Sequence, residues 1–214
     1  VCSSDLQKLI ENGFFQDEAL RIAPLSPFPS IGYEAADNSR ARILDAATEL
    51  FGTRGFYNVN VFEIAKRAGF SVGTFYIHFE SKELCLSEVV RRIGRRTRHY
   101  ITANIPAGLN RAETEIMGMR LFLNYFRGNT HYYDIVREAE FVVNDTTREY
   151  YSRFESGYLK NLKRTRSRDL RTIANMLMGL SHYMGIEVFF SSRVKNEEAL
   201  VSSISKFIGS GISR

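Results

Sequence analysis

Residues 60–82 constrain the fold most strongly, because they encode two short helices on either side of a glycine turn. Asn60 and Glu63 have the spacing of a capping box, in which each side chain accepts a hydrogen bond from the other residue's backbone N–H and a helix begins. Gly69 predicts the end of that helix, because glycine adopts the left-handed conformation without strain. Ser71 can cap a second helix, so the segment predicts a helix-turn-helix.

Apolar residues recur at helical spacing in both predicted helices. In the second helix, Phe75 and Phe79 are four residues apart, which places both rings on one face. We expect this face to pack against an earlier helix, before residue 60, which contains Leu44, Leu50 and Phe51. The two phenylalanines are therefore assigned to the core, and the polar side chains of the second helix project elsewhere.

Short motifs at fixed separations continue on both sides of this segment. They occupy residues 42–47, 50–51, 55–56, 64–65, 68–69, 71–76 and 78–83. Together these motifs resemble the DNA-binding domain of the tetracycline-repressor (TetR) family over roughly residues 39–95. The resemblance implies an all-α fold, with an N-terminal helix-turn-helix DNA-binding domain followed by a helical regulatory and dimerisation domain.

The distribution of charge supports a nucleic-acid partner independently of that resemblance. Residues 38–100 contain eleven Lys or Arg against six Asp or Glu, whereas residues 1–37 contain two against six. Basic surfaces release counterions from a duplex, and acidic surfaces are repelled by it. We therefore expect the helix-turn-helix to bind double-stranded DNA.

The predicted DNA contacts divide into two groups by their chemistry. The donors suited to phosphate oxygens are the side chains of Thr74, Tyr76, His78 and Lys82. The residues assigned to base reading, including one contact with a thymine methyl group, are Val72, Gly73, Thr74 and Ile77. Two alternatives stay open: His78 as a structural histidine at the helix end, and Lys82 as a solvated lysine.

Two further features near this domain receive a different interpretation. Phe62 stands where members of the family often carry a polar or basic DNA-contacting residue, so no contact is assigned to it. The arginine-rich run from Arg91 to Arg98 continues the helix that begins near Ser81. We interpret these arginines as the solvated face of a connecting helix that adds long-range attraction for the duplex.

The chain divides by composition into three segments. Residues 1–37 are an N-terminal extension with a proline-rich linker, residues 38–100 contain the helix-turn-helix domain with its connecting helix, and residues 101–214 form the helical ligand-binding and dimerisation domain. Two interpretations of the first segment stay open. It is either the remnant of a preceding domain or an arm that packs on the regulatory domain.

Helical periodicity predicts further helices in the C-terminal segment. They cover residues 111–127, 131–143, 145–165, 168–191 and 196–208. The third of them carries Tyr150, Phe154 and Tyr158 at intervals of four, which gives it an aromatic stripe. Such stripes usually pack in a core, but rings of this kind also line cavities, and both interpretations stay open.

If an effector binds the C-terminal segment, we expect it to be largely apolar or aromatic, because rings with one polar tip suit such a ligand. The predicted effector-binding residues are Phe122, Tyr125, Phe126, Phe154 and Tyr183. Arg120 and Glu187 lie on the same predicted helices and are interpreted as solvated surface residues. No charged ligand is therefore predicted.

The last two predicted helices combine apolar residues with small ones, among them Ala174, Ser181 and Gly185. Small residues let helices approach closely. The resemblance implies that these helices pair with those of a second subunit as a four-helix bundle. We expect a homodimer that a bulky residue at position 185 would break.

The composition excludes several other classes of protein. Cys2 and Cys85 are too few for a disulfide framework or a zinc finger, and no apolar run is long enough for a membrane span. His99, His131 and His182 have no accompanying catalytic motif. We predict a cytoplasmic protein that is not an enzyme, with no catalytic residues, no metal and no cofactor.

These observations predict a DNA-binding transcriptional regulator, a ligand-responsive repressor that binds its operator as a homodimer. The alternative is a regulator controlled by a protein partner or a fused domain rather than by a small molecule. An enclosed aromatic pocket would favour the small molecule, and a filled core would favour the protein partner.

Overall fold

The structure, a computed structural model, describes residues 38–162, 169–191 and 197–212. Every regular element within these ranges is an α-helix, which confirms the predicted all-α fold. Over the same ranges, no helix has the length and apolarity to cross a membrane, and no group of three or more His, Cys, Asp or Glu is placed to hold a metal ion. The predicted N-terminal extension, residues 1–37, lies outside the described residues.

The helices follow one another along the chain in the order that the sequence predicts. The first four are α1 (Asn38–Arg54), α2 (Val61–Ala68), α3 (Val72–His78) and α4 (Lys82–Asn104). The others that the structure describes are α5 (Arg111–Arg127), α6 (Thr130–Val142), α7 (Asn144–Leu162), α8 (Leu170–Phe190) and α9 (Glu197–Ile212). Each predicted C-terminal helix is therefore present; the predicted ends at residues 165, 168 and 196 lie outside the described residues, and the other ends agree to within a few residues.

Local capping interactions fix the ends of α2 and α3. Asn60 Oδ1 accepts a hydrogen bond from the Glu63 backbone N–H at 3.0 Å, and the Glu63 carboxylate accepts one from the Asn60 N–H at 2.9 Å. Gly69 follows the end of α2 with a φ of 79°, in the left-handed region. Ser71 Oγ accepts from the Thr74 N–H at 3.2 Å and caps α3. The predicted helix-turn-helix is confirmed.

The described residues group into two compact units by their contacts. The first unit contains residues 38–98 and 129–153, and the second unit contains residues 99–128, 154–162, 169–191 and 197–212. The divisions fall inside α4 and α7, so each of these helices contributes residues to both units. α6 packs on α1 and belongs to the same unit as the helix-turn-helix. The predicted division after residue 100 into a DNA-binding domain and a regulatory domain stays a prediction.

The core of the first unit contains both phenylalanines that the sequence assigned to it. Phe75 is fully buried, and its ring centroid lies 5.6 Å from that of Phe79, which is also buried. α6 contributes a polar contact: the Glu138 carboxylate accepts a hydrogen bond of 2.7 Å from the backbone N–H of Phe56. Because Phe56 lies between α1 and α2, this contact fixes the loop that leads into the helix-turn-helix.

The core of the second unit is formed by α5, α8 and α9. Its buried apolar members are Ile116, Met119, Leu123, Leu177, Val201, Ile204 and Ile208. The small residues of α8, which are Ala174, Ser181 and Gly185, are buried on the same side of that helix as Leu177. Gly185 is therefore buried within the single chain, and the effect of a bulky residue there on the dimer stays a prediction. Apolar residues occur on both sides of α8, so the helical period alone did not reveal which side faces the core.

Candidate DNA-binding surface and regulatory site

α3 has one buried side and one exposed side. The buried side is held by Phe75, and the opposite side carries Tyr76, which is 52% exposed, and Ile77, which is 79% exposed. Gly73 is exposed as well, and a Cβ atom there would meet only Ser71 Oγ, at 3.6 Å. A short helix whose outer side chains are free of packing can enter a major groove. The predicted base-reading surface is therefore at the protein surface, and its contacts with DNA stay predictions.

The remaining residues assigned to α3 are partly exposed. The Thr74 hydroxyl lies 3.0 Å from the hydroxyl of Ser71, so it takes part in capping the helix that it was expected to help dock. His78 Nε2 lies 2.7 Å from Ser39 Oγ and ties the end of α3 to the first turn of α1. This hydrogen bond supports the structural role that was left open for His78. Val72 is half-buried at the start of the helix.

Lys82, the first residue of α4, makes three contacts with the loop that precedes α2. Its Nζ donates to the carbonyl oxygens of Phe56 at 2.9 Å and Val59 at 2.7 Å, and it lies 4.0 Å from the centroid of the Phe56 ring. The alternative of a merely solvated lysine is therefore wrong. Hydrogen bonds from a charged donor are among the stronger ones in proteins. Lys82 holds the loop in place, and its phosphate contact stays a prediction.

Two further basic residues near α3 are exposed although the sequence did not single them out as DNA contacts. Arg42 on α1 places its guanidinium 4.7 Å from the ring centroid of Phe70, in the turn before α3, and Lys66 lies on the exposed side of α2. Both offer donors suited to phosphate oxygens. Phe62, also on α2, is 61% exposed, and its side chain carries no hydrogen-bonding group. No DNA contact is assigned to it.

Four of the five predicted effector-binding rings come together in the second unit. Phe122 lies 4.9 Å from Phe126 and 6.5 Å from Phe154, measured between ring centroids, and Tyr125 lies 5.4 Å from Phe126. We call these four residues the ring cluster. Tyr125 and Phe126 are buried, and the other two rings are half-buried. The cluster joins α5 to the C-terminal part of α7.

Tyr183 does not share this environment. Its side chain is 66% exposed on α8, whereas the side of that helix which faces the core carries Leu177 and Ser181. The prediction that Tyr183 lies inside a ring-lined site with the others is therefore not supported by its position. The ring points away from the apolar core because it is two residues from Ser181, about 200° around a helix.

A buried polar group lies on the same helix as the ring cluster. Glu115 is 4% exposed, and one of its oxygens lies 2.9 Å from Arg111 Nη2. Burial raises the pKa of the Glu115 carboxyl to about 7, although the charge of Arg111 favours the ionised form. Arg120 is 8% exposed, so its interpretation as a solvated residue is wrong. Titratable groups with displaced pKa values are more frequent at functional sites than elsewhere.

Tyr158 extends this polar group onto α7. Its hydroxyl lies 3.4 Å from that of Ser181, which itself donates to the Leu177 carbonyl at 3.0 Å. Burial raises the pKa of Tyr158 to about 12, and the negative charge of Glu115 acts in the same direction. Glu115 and Tyr158 are therefore close enough to interact. No sequence motif marks them, because their residues come from helices that are remote along the chain.

Comparison with known proteins places the helix-turn-helix in a family. The family model described as "Bacterial regulatory proteins, tetR family" matches residues 43–89. The HTH-type transcriptional regulator YdgC of Bacillus subtilis, itself uncharacterized, is 27% identical over 180 residues, which are 78% of this chain and 88% of that protein. The sequence similarity to YdgC therefore continues beyond the matched domain.

Solved structures extend the likeness of fold over most of the chain. A protein of Syntrophomonas wolfei assigned to the TetR family superposes with a TM-score of 0.70 at 20% identity, over 81% of this chain and 96% of that one. The regulator FadR of Bacillus subtilis, in a complex with stearoyl-CoA, gives a TM-score of 0.65 at 20% identity, over 80% and 98% of the two chains. At these identities the likeness establishes the fold.

The substitutions Tyr76→Phe and Lys82→Met should distinguish a side chain that contacts DNA, Tyr76, from one that stabilises the fold, Lys82. Loss of the exposed Tyr76 hydroxyl should weaken binding to all duplexes by about 1 kcal/mol and leave the unfolding temperature unchanged. Loss of the Lys82 ammonium should lower the free energy of unfolding by about 1.5–3 kcal/mol, because two charge-assisted hydrogen bonds disappear. Fluorescence anisotropy with specific and random duplexes, and thermal denaturation, measure the two effects.

Salt dependence then decides whether Lys82 also contacts phosphate. If it does, the slope of log affinity against log salt should fall by about one in Lys82→Met and by nothing in Tyr76→Phe. A Lys82→Met protein as stable as the original would contradict the structural tie. A changed sequence preference in Tyr76→Phe would contradict the assignment of that hydroxyl to phosphate.

Glu115→Gln should change how stability depends on pH. The folded protein holds the Glu115 proton up to about pH 7, whereas the unfolded chain releases it near the ordinary value of 4.5. Between these values the folded state binds more protons, so this group makes the free energy of unfolding fall as pH rises. The variant's stability relative to the original should therefore increase from pH 4.5 to pH 7.5. Urea denaturation at both pH values measures it, and a constant difference would refute the shift.

Proposed function

We propose that the chain is a transcriptional regulator of the tetR family, and that it acts as a homodimeric repressor whose DNA affinity changes when a small molecule binds its second unit. The observation that carries the DNA-binding part is the outer side of α3, where Tyr76 and Ile77 are exposed while Phe75 is fully buried beneath them. The helix is thereby fixed to the protein by one side and presents the other to a groove.

The proposal of a homodimer rests on the outer side of α8. Met176, Tyr183 and Phe190 are 59%, 66% and 43% exposed and follow one another at intervals of seven residues. Between them lies Gly179, where a Cβ atom would meet nothing within 4 Å. On α9, Phe207 is 65% exposed. Large apolar side chains repeated along one side of a helix are typical of a surface that another helix covers.

A second copy of the chain is the partner that this surface fits best. The interval of seven residues is that of helices packed side by side at a shallow angle, as in four-helix bundles. Gly179 lets a partner helix approach closely at the centre of the stripe. Under this proposal Tyr183 belongs to the subunit interface rather than to the effector site, which accounts for its exposure in the single chain.

The effector part of the proposal rests on the ring cluster and the buried polar group. The rings offer an apolar surface, and Glu115 with Tyr158 offers buried polar atoms further along the same two helices. A ligand with a long apolar portion and one polar end would match both. The B. subtilis FadR structure contains stearoyl-CoA, a molecule of that general type. The ring contacts are close, so an effector has to part the rings in order to bind.

The alternative, a regulator that responds to a protein partner, stays open beside this one. The observation in its favour is that the four rings already contact one another. A small molecule acts by population shift only if it binds one state of the protein better than the other. Separation of the rings by a ligand would supply that difference, because Phe154 lies on α7 and α7 also contributes residues to the unit that contains the helix-turn-helix.

Met176→Glu with Tyr183→Glu should yield monomers that bind DNA weakly. Two carboxylates in an apolar interface would be buried without partners, which is strongly unfavourable. Loss of the dimer removes the advantage of binding two half-sites at once, so the dissociation constant should rise by about 100-fold or more. Sedimentation velocity and anisotropy with an operator selected from random DNA measure the two effects.

The matched control for this experiment is Phe141→Glu. Phe141 is 82% exposed on α6 and belongs to the first unit, whereas α8 and α9 belong to the second, so the same chemical change should leave the dimer and its DNA affinity intact. A dimer that survives the double substitution would place the interface elsewhere. A selected operator without two-fold symmetry would contradict the homodimeric mode of binding.

Phe154→Ala should abolish the response to an apolar effector. At one hundred times its dissociation constant, a ligand stabilises the folded protein by about 2.7 kcal/mol, which thermal denaturation detects readily. We expect stabilisation by one or more members of a series of fatty acids and acyl-CoA molecules, including stearoyl-CoA, together with release of DNA. Phe141→Ala serves as the control. If the ligand still stabilises Phe154→Ala, the effector site lies outside the ring cluster. If no member of the series stabilises the original protein, regulation by a protein partner is favoured.

A further inference from the structure

Arginines make up four of the seven residues that line a small pocket in the first unit. It has a volume of about 100 Å³. α4 contributes Arg91, Gly94, Arg95 and Arg98, and α7 contributes Glu149, Tyr150 and Arg153. The sequence placed these α4 arginines on the solvated side of a connecting helix. The structure instead brings three of them together with a fourth from a helix about fifty residues away along the chain.

Positive charge predominates in this pocket even after its ion pairs are counted. Glu149 bridges two of the arginines, at 2.9 Å from Arg91 Nε and 2.8 Å from Arg153 Nη2. Glu88 also pairs with Arg91, at 2.8 Å. The lining thus contains four guanidinium groups and one carboxylate, and the Glu88 carboxylate lies outside it.

Charge repulsion acts on Arg98 in particular. Burial lowers the pKa of Arg98, and the positive charges of Arg153 and Arg95 lower it further. An anion in the pocket would reverse this repulsion, because it would lie close to several guanidinium groups at once. The lining therefore favours an anionic ligand over a cationic one.

Gly94 gives the pocket its shape. A Cβ atom at this position would lie 2.8 Å from Cδ2 of the Tyr150 ring and 3.0 Å from Arg98 Nη1. The absence of a side chain lets the tyrosine ring and the guanidinium both approach the backbone of α4. The ring then walls the pocket beside the charged groups, so the site is concave rather than a flat basic surface.

We propose that this pocket binds a phosphate group of a small molecule, held between α4 and α7 by Arg95, Arg98 and Arg153. A phosphate group carries oxygens in several directions and accepts paired hydrogen bonds from planar guanidinium groups. A volume of about 100 Å³ accommodates a group of that size. Inorganic phosphate and a phosphorylated metabolite share this chemistry. The inference does not depend on the effector site, which lies in the other unit.

DNA phosphate is a less suitable occupant than a small molecule. Arg95 is thirteen residues after Lys82, which places it about 20 Å along α4 from the end that follows α3. Tyr150 also forms one wall of the pocket beside the charged groups, so the lining is not a flat basic surface. An anion that bridges α4 and α7 would stabilise the unit that carries the helix-turn-helix, since a ligand of the folded state raises its stability.

Isothermal titration of the full chain with inorganic phosphate and with pyrophosphate tests the proposal. Ionic strength is held constant with sodium chloride, so that general screening does not change. We expect saturable binding of one anion per chain, at least tenfold weaker in Arg95→Gln with Arg98→Gln. The matched control is Arg148→Gln, because Arg148 lies on α7, outside the pocket, with an 81% exposed side chain. Its affinity should equal that of the original protein.

Two outcomes would overturn the site: no saturable binding of either probe, or binding that is equally strong in the double variant. The single variant Arg95→Gln keeps the test valid if the double variant fails to fold, because Arg95 is exposed and its loss should still weaken binding several-fold. The salt dependence of DNA binding separates the two sources of phosphate. A slope that falls by about two in the double variant would assign these arginines to DNA, and an unchanged slope supports the small molecule.

Discussion

The burial of Phe75 is the interaction on which the DNA-binding surface depends. α3 has seven residues, and a helix of that length does not persist alone in water, because nucleation costs more than so few hydrogen bonds return. Its stability comes from packing: the Phe75 ring is completely buried and lies 5.6 Å from the Phe79 ring. Only because this side is fixed can Tyr76 and Ile77 remain exposed at defined positions. The predicted base-reading surface is therefore held in place by the packing of a core residue.

Long polar side chains then hold the backbone around this core. Lys82 donates to the carbonyls of Phe56 and Val59, and Glu138 accepts from the Phe56 N–H, so the loop before α2 is held from two helices at once. Arg92 on α4 acts similarly on α1, where it donates to the Leu44 carbonyl at 2.9 Å. Loop backbone groups that would otherwise need water are satisfied by charged side chains. This accounts for charged residues that are conspicuous in the sequence yet make few contacts with solvent.

The sequence predicted what local rules determine and missed what depends on distant residues. The capping box at Asn60 and the turn at Gly69 follow from neighbours within three residues, and the structure confirms both. The role of Lys82 depends on carbonyls more than twenty residues away, which no spacing reveals. The same limit applied to α8, where Tyr183, expected among the effector-binding rings, is exposed on the side opposite Ser181. A helix that is apolar on both sides needs knowledge of its neighbours before its core side can be identified.

The aromatic residues of α7 recur at one helical interval, but each of them lies in different surroundings. Tyr150 packs on the backbone at Gly94 and walls the arginine pocket, whereas Phe154 contacts Phe122 in the ring cluster. The two rings are one turn apart, about 6 Å along the helix axis. The interval of four therefore identifies which rings share a face of α7, whereas the residues of other helices decide what each ring contacts.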